Sequence, residues 1–418
     1  MTLVAGVDSS TQNCKVVVVD AATGATVREG RAPHPGGGEV DPEEWLRALE
    51  FAIAQAGGLD DVAAMSIGAQ QHGMVVLDNE GRVIRPALLW NDTRSAQAAR
   101  DLTAEFPDIV ERTGSLPVAS FTSTKLRWLR DAEPENARRV AAVALPHDWL
   151  IWRMRGFGPA DAALGGPQLH ELTTDRSDAS GTGYWNPATG DYDEQLLTAS
   201  IGHAGTIVPH VLGPGASPGS VALGGPIMAV GAGDNAGAAL GLGARPGDVV
   251  VSIGTSGTVF AVTEQPSREP TGTIAGFADA SGNYLPLVAT LNAARVLDSI
   301  ADLLGVSLDE LGVLALSAEP GCSGLVLQPF FEGERTPNRP DATATLFGMT
   351  LASTSRENLA RAAIEGVLCG LSDGLDALIK NGVVANRIML IGGAAQNSAV
   401  AAIAAQVFAA PVVVPRPA

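Results

Sequence analysis

The sequence predicts an α/β fold of two domains, and three observations carry that prediction. The chain opens on a strand–turn–strand pattern, LVAGVDSSTQNCKVVVVD. Strand and helix patterns then alternate, which implies an α/β architecture. A second strand–turn–strand pattern, DVVVSIGTSGTVFAVTE, begins at Asp248 and repeats the first at the head of the second half. The boundary falls near Gly243, giving domains 1–243 and 244–418, and 418 residues suffice for two substantial cores.

Each element has its own signal. Leu3 to Val7 and Cys14 to Val19 are apolar strand runs around the turn DSSTQN, and DAATG turns the chain into a third strand. Asp41 is placed to cap a helix whose first residue is Pro42 and whose first turn carries Glu43 and Glu44. Trp45, Leu49 and Ile53 recur every four residues as its buried stripe, and Gly57-Gly58 stops it. Strands follow at Val62 to Ile67 and Met74 to Leu77. The stretch from Gly156 to Gly183, rich in Gly, Pro, Ala and Asp, reads as a long loop, and GPGASPGS at 213–220 as a shorter one. PIMAV then reads as a buried strand and NAGAALGLG as a helix of small residues. In the second half, Ser355 caps a long helix with Leu359, Val367, Leu371, Leu375 and Leu378 on its apolar face, ended by Asn381-Gly382. RIMLIGG is a strand with a sharp turn, a helix runs from Asn397 to Phe408, and PVVVPRPA is a strand and a turn.

Bulk properties narrow the function classes. Apolar residues at 46 % and charged residues at 17 % suit a globular protein. The net charge of −18 argues against a broad nucleic-acid surface or an anionic membrane. It leaves a phosphorylated ligand open, because glycine loops and helix N-termini bind phosphate locally. Cys14, Cys322 and Cys369 lie far apart, without metal-ligand spacing, which suits a reducing cytoplasm. The N-terminus reads as a first strand rather than a signal peptide, and no stretch reaches the ~18 apolar residues of a membrane span.

Several short stretches could carry chemistry, each with a plain structural alternative. Asp8 and the turn Ser9 to Asn13, with Lys15 nearby, could approach a phosphate, or Asp8 could make an Asx-turn. Gly254-Thr255-Ser256-Gly257 offers a second such turn, or a flexible hairpin. Gly392-Gly393 before Asn397 lets a ligand approach the backbone, or makes a tight corner. Gln70, Gln71 and His72 end a strand, where polar groups could read sugar hydroxyls; His72 could equally be a core histidine. Trp90, beside Asn91, Asp92 and Arg94, could pack on a sugar or in the core. Asp234 and Asn235 stand between a strand and a helix, so Asp234 is either an N-cap or a general base in the crevice where α/β folds bind ligands. The zincin and P-loop signatures do not occur.

Taken in order, GVDSSTQNCK, QQHGMVVLD, RPALLWNDTR, LPHDWL, TDRSDASGTGYW, GAGDNAGAALGLG, SIGTSGTVFAV, GERTPN and LIGGAAQNS resemble the FGGY carbohydrate kinases, and among them the xylulokinase branch. The resemblance implies two actin-like, ribonuclease-H-like domains with an active-site cleft between them. It implies ATP and Mg²⁺ as cofactors and D-xylulose as acceptor, giving D-xylulose 5-phosphate. Asp234 would be the general base. Asp8 would sit near the γ-phosphate, and both would hold the metal through water. Gln71, His72, Trp90 and Asn235 would contact the sugar. Thr11, Gln12, Asn13, Lys15, Gly254, Thr255, Ser256, Gly392, Gly393 and Asn397 would hold ATP. GERTPN would shape a loop of the second domain. The expected partners are the sugar and ATP, with neither nucleic acid nor membrane, and with a homodimer left open; the expected location is the cytoplasm. Other acceptors remain in play, namely ribulose, gluconate, fuculose and glycerol, although glycerol kinases usually carry Arg-Glu where Gln71-His72 stand. The chain departs from the family pattern at Ser9, where glycine is usual. It also departs at its end, where the resemblance implies further helices; that ending raises the alternative of a catalytically impaired sugar- or nucleotide-binding relic.

Overall fold

A computed structural model describes residues 1–339 and 341–415. The expected turn at the end of PVVVPRPA falls at 416–418, outside the described residues. Among the described residues the chain forms two compact units, one of residues 1–241 with 276–283, the other of residues 242–275 with 284–339 and 341–415.

In the first unit, β1 (Leu3–Ser9), β2 (Asn13–Asp20) and β3 (Thr26–Pro33) form an antiparallel meander. The helix α1 (Pro42–Gln55) follows, capped by the Asp41 carboxylate on the Glu43 N–H at 3.1 Å. It buries Trp45 and Leu49 against the sheet, with Ile53 partly buried beside them. The chain then returns as β4 (Val62–Ala69), parallel to β1. Two short strands, β5 (Ile227–Met228) and β6 (Ala232–Gly233), add parallel to the other side of β4. The sheet order is therefore β3-β2-β1-β4 with β5 and β6 beyond it. Within PIMAV only Ile227–Met228 is strand, and the second short strand, Ala232–Gly233, follows after Gly231 at φ +86°.

The stretch 156–183, expected as loop, is ordered differently. It contains a strand at Thr173–Asp175 and a helical turn, Arg176–Ser180. Asp175 caps that turn, accepting from the Ser177 and Asp178 N–H groups. A cap acid three residues before another acid is a helix-start pattern, and in this run it outweighed the surrounding glycines.

The second unit repeats the plan. Strands β7 (Asp248–Ile253), β8 (Gly257–Ala261) and β9 (Tyr284–Thr290) are antiparallel neighbours. The long helix α2 (Arg356–Lys380) starts at the expected Ser355 cap and buries Val367, Leu371, Leu375 and Leu378. Strand β10 (Arg387–Ile391) runs parallel to β7, and β11 (Val412–Val413) parallel to β10. The order β9-β8-β7-β10-β11 matches that of the first unit. This is the ribonuclease-H-like arrangement: a hairpin meander, then parallel strands added beside the first strand.

Residues 276–283 fall within the first compact unit. The Gly276 N–H donates to Ser115 Oγ at 2.9 Å and the Ala278 N–H to Ser180 Oγ at 3.0 Å. Contacts of such sequence separation leave no local signal.

Candidate functional site

The first unit gathers its polar candidates at the carboxyl ends of three neighbouring parallel strands. Asp8 lies near the end of β1, Gln70 to His72 follow β4, and Asp234 follows β6. The register sets Gly68 of β4 opposite both Asp8 and Ala232. Strand ends of this kind carry ligand sites in α/β folds, because the chain there leaves the ladder with side chains and backbone groups unpaired.

Asp234 is the first residue of the helix α3 (Asp234–Gly241). Its Oδ1 accepts from the Asn235 N–H at 2.8 Å and from Asn235 Nδ2 at 2.9 Å. Burial raises its carboxyl, the Asn235 N–H lowers it, and the charge of Asp8 raises it again, to about 6. Asp8 keeps solvent access, yet desolvation at the strand end raises its carboxyl too, with Lys15 pulling it back. The Asp8 charge raises Asp234, so a cation placed near both carboxylates would relieve that repulsion. That electrostatic demand, with oxygen donors only, fits a hard divalent ion such as Mg²⁺ bound through water.

Gln71 is buried, and its Nε2 donates to the Ser177 carbonyl at 3.0 Å. His72 sits at φ +68°, with Nδ1 2.6 Å from the Gly181 carbonyl. Its ring packs on Phe121 and Phe277. The His72 carbonyl accepts from Lys125 Nζ and Thr122 Oγ1, each at 3.2 Å. Lys125 is fully buried and also donates to the Ser120 carbonyl; burial lowers its ammonium to about 7 against the more distant charge of Asp92. Trp90 Nε1 donates to Thr11 Oγ1 at 2.8 Å, so these two candidates lie together. The carbonyls of Gln12 and Asn13 accept from the His34 N–H and Ser10 Oγ. Lys15, across the ladder from Asp8, pairs with Glu29 at 3.1 Å, both exposed.

In the second unit, the Gly254–Ser256 turn joins β7 to β8, closed by the Gly254 N–H on the Ser256 carbonyl at 3.1 Å. Gly392, at φ +95°, ends the neighbouring strand β10 so close to β7 that a Cβ would overlap the Ile253 carbonyl. The two backbone candidates thus lie at adjacent strand ends. Asn397 is occupied structurally: Oδ1 caps the helix at Ala399 N, 2.9 Å, and Nδ2 donates to the Leu308 carbonyl at 2.9 Å.

Sequence reasoning assigned no role to a fully buried cluster beneath these residues. His147 Nδ1 lies 2.5 Å from Asp178 Oδ2 and 3.2 Å from Asp148 Oδ1. Its Nε2 lies 3.9 Å from Asp175 Oδ1. Burial opposes a charged ring, but Asp148 and Asp178 outweigh it and hold the imidazole's proton up to about 10. His147, Asp148 and Asp178 are the one group among the described residues with metal-ligand make-up. The ring–carboxylate contact of 2.5 Å leaves no space for an ion between those atoms, so the imidazolium itself balances the acids. Two available signals were the paired acids of TDRSD and the His-Asp of LPHDWL, both charged groups in otherwise apolar or small-residue surroundings.

Two family models match. The N-terminal domain of the FGGY family of carbohydrate kinases matches residues 3–241, and its C-terminal domain matches residues 249–418. A xylulose kinase of Streptomyces coelicolor is 45% identical over 413 residues, 95% of this chain and 81% of that protein. The Escherichia coli xylulose kinase is 35% identical over 413 residues, 94% and 82% respectively. The crystal structure of xylulose kinase from Bifidobacterium adolescentis is 47% identical with a TM-score of 0.88, covering 100% of this chain and 90% of that one. A Plasmodium falciparum glycerol kinase structure, 20% identical, shares the fold at a TM-score of 0.81 over 96% of this chain and 83% of that one. No helix among the described residues is long and apolar enough to cross a membrane.

Proposed function

The chain belongs to the FGGY family of carbohydrate kinases, and from that premise we propose that it transfers the terminal phosphoryl group of ATP to D-xylulose, giving D-xylulose 5-phosphate and ADP. The observation that carries the acceptor is the identity of 45–47% to xylulose kinases across nearly the whole chain. In support, the Gln71-His72 pair is held in a fixed geometry beside Asp234 by Ser177 and Gly181.

Asp234 is the proposed base. A sugar hydroxyl is a weak nucleophile until its proton has an acceptor, and a carboxylate raised to about 6 is ionised at neutral pH yet more basic than an ordinary aspartate. The hydroxyl oxygen forms the bond to phosphorus, the bond to the ADP oxygen breaks, and the proton passes to Asp234 Oδ. Asp8 and Asp234 would hold Mg²⁺ through water, and the ion would neutralise charge on the phosphates. Gln71, His72, Trp90 and Asn235 are the proposed sugar contacts. Thr11 to Asn13 and Lys15, with Gly254 to Ser256, Gly392, Gly393 and Asn397, are the proposed ATP residues. For Asn397 the support is positional, because its side chain is already engaged as a cap.

The proposal includes a cytoplasmic location and no nucleic-acid partner, supported by dispersed free cysteines and the net charge of −18. A homodimer is the proposed assembly, supported by the exposed Phe347, Met349 and Leu351, and its test is the mass in solution by sedimentation. For the base, the test is Asp234→Asn. It should retain D-xylulose binding by calorimetry while losing turnover by a factor of about 10³ or more. Near-normal turnover would remove Asp234 from that role.

A further inference from the structure

Ser177 is fully buried and makes contacts in two directions. Its carbonyl accepts Gln71 Nε2 at 3.0 Å. Its hydroxyl accepts the Gly233 N–H at 3.0 Å, one residue before Asp234. That hydroxyl is itself oriented, since its proton goes to Asp175 Oδ2 at 2.6 Å, the oxygen that also accepts the Ser177 N–H at 2.8 Å. Asp175 Oδ1 accepts the Asp178 N–H at 3.0 Å, and Asp178 in turn holds His147.

The strand leading into Asp234 fits closely against these groups. A Cβ at Gly231 would lie 2.5 Å from His147 Cδ2, and one at Gly233 would lie 2.6 Å from Gln71 Cγ. Hydrogen-bonded and steric contacts therefore converge on the two glycines just before the proposed base.

We infer that Ser177 is a positioning residue that sets the proposed base Asp234 and the proposed sugar contact Gln71 relative to one another, with Asp175, Asp178 and His147 clamping the turn that carries it. The inference rests on the kinase reading given above. A buried turn tied at both ends by charged groups is stiff, and a base must stand within hydrogen-bond reach of its hydroxyl to act. Without the Ser177 hydroxyl, the Gly233 amide loses that partner, and β6 with the start of α3 is held less firmly.

The test uses the full chain and begins with wild-type turnover on a panel of acceptors, so that failure of the kinase reading is seen before any variant is compared. On whichever sugar the wild type phosphorylates, Ser177→Ala should lower kcat on the order of tenfold to a hundredfold and raise KM for the sugar, with KM for ATP unchanged. Ser177→Thr, which keeps the hydroxyl, should recover most of kcat. A folded Ser177→Ala enzyme with wild-type kcat and sugar KM would overturn the inference, as would a Thr variant no better than Ala. A second measurement needs no variant: amide hydrogen exchange in the wild-type protein. The Gly233 amide should be strongly protected, and exchange at the rate of an open loop would overturn the inference even if the Ala variant fails to fold.

Discussion

At the residue scale, the proposed base and its surroundings make opposing demands. Asp234 is raised to about 6 from an ordinary 3.8, so the folded protein holds that proton more tightly than the unfolded chain. Above the folded value the ionised carboxylate therefore costs stability, on the order of 3 kcal/mol for a shift of this size. Below the ordinary value both states are protonated and the cost vanishes. Asp234→Asn should accordingly raise Tm at pH 8 while removing turnover, and the gain should shrink as pH falls through 6 toward 4. The same ionisation should appear as the acidic limb of kcat/KM, with turnover falling as pH drops below about 6. A limb near an ordinary aspartate value, or a stability gain independent of pH, would contradict this. As an N-cap, the acid would accept from N–H groups two or three residues on; instead it accepts from its immediate neighbour Asn235.

At the element scale, the supports of the site are turns and caps rather than long helices. Gly392 ends β10 at φ +95°, where a side chain would strain the backbone and meet the Ile253 carbonyl. Gly392→Ala should cost at least about 2 kcal/mol in chemical denaturation of the chain, and raise KM for ATP with KM for sugar little changed. The short helix at Arg176–Ser180 is clamped by His147, and the sign of that contribution follows from the groups facing it. Held up to about 10 from 6.5, the imidazolium contributes stability in full below pH 6.5, and that stability is lost as pH rises toward 10. Asp148 and Asp178, raised by burial to about 7 and about 6, act in the same sense as pH climbs from 4. His147→Gln should therefore show its largest Tm deficit near pH 6 and a smaller one near pH 10. A deficit constant over that range would contradict the charged clamp. The hairpins, the α1 cap and stripe, and the long helix from Ser355 were legible in sequence because each signal is local. Asp175 to Asp178 belong to the TDRSD motif, but the glycines around them read locally as a loop. Their meaning depends on His147, 31 positions before Asp178, and on Ser177 meeting Gly233, 56 positions on.

At the scale of the whole molecule, two units share one strand order, with a meander followed by parallel strands beside the first. The paired strand–turn–strand patterns at Leu3 and Asp248 made that repeat visible, since each heads its own sheet. The assignment of 276–283 to the first unit was not visible, because it rests on Ser115 and Ser180 accepting two distant backbone N–H groups. The proposed sugar contacts and base belong to the first unit, and the proposed ATP residues are distributed between the two sequences of strands. That account is tested most directly by ADP release from the purified chain with ATP and Mg²⁺, comparing D-xylulose with ribulose, gluconate, fuculose and glycerol as acceptors. The account predicts sugar-dependent ADP release with kcat/KM for D-xylulose at least about tenfold above each other acceptor, and D-xylulose 5-phosphate as product. Preference for another acceptor, or ADP release without dependence on any sugar, would contradict it.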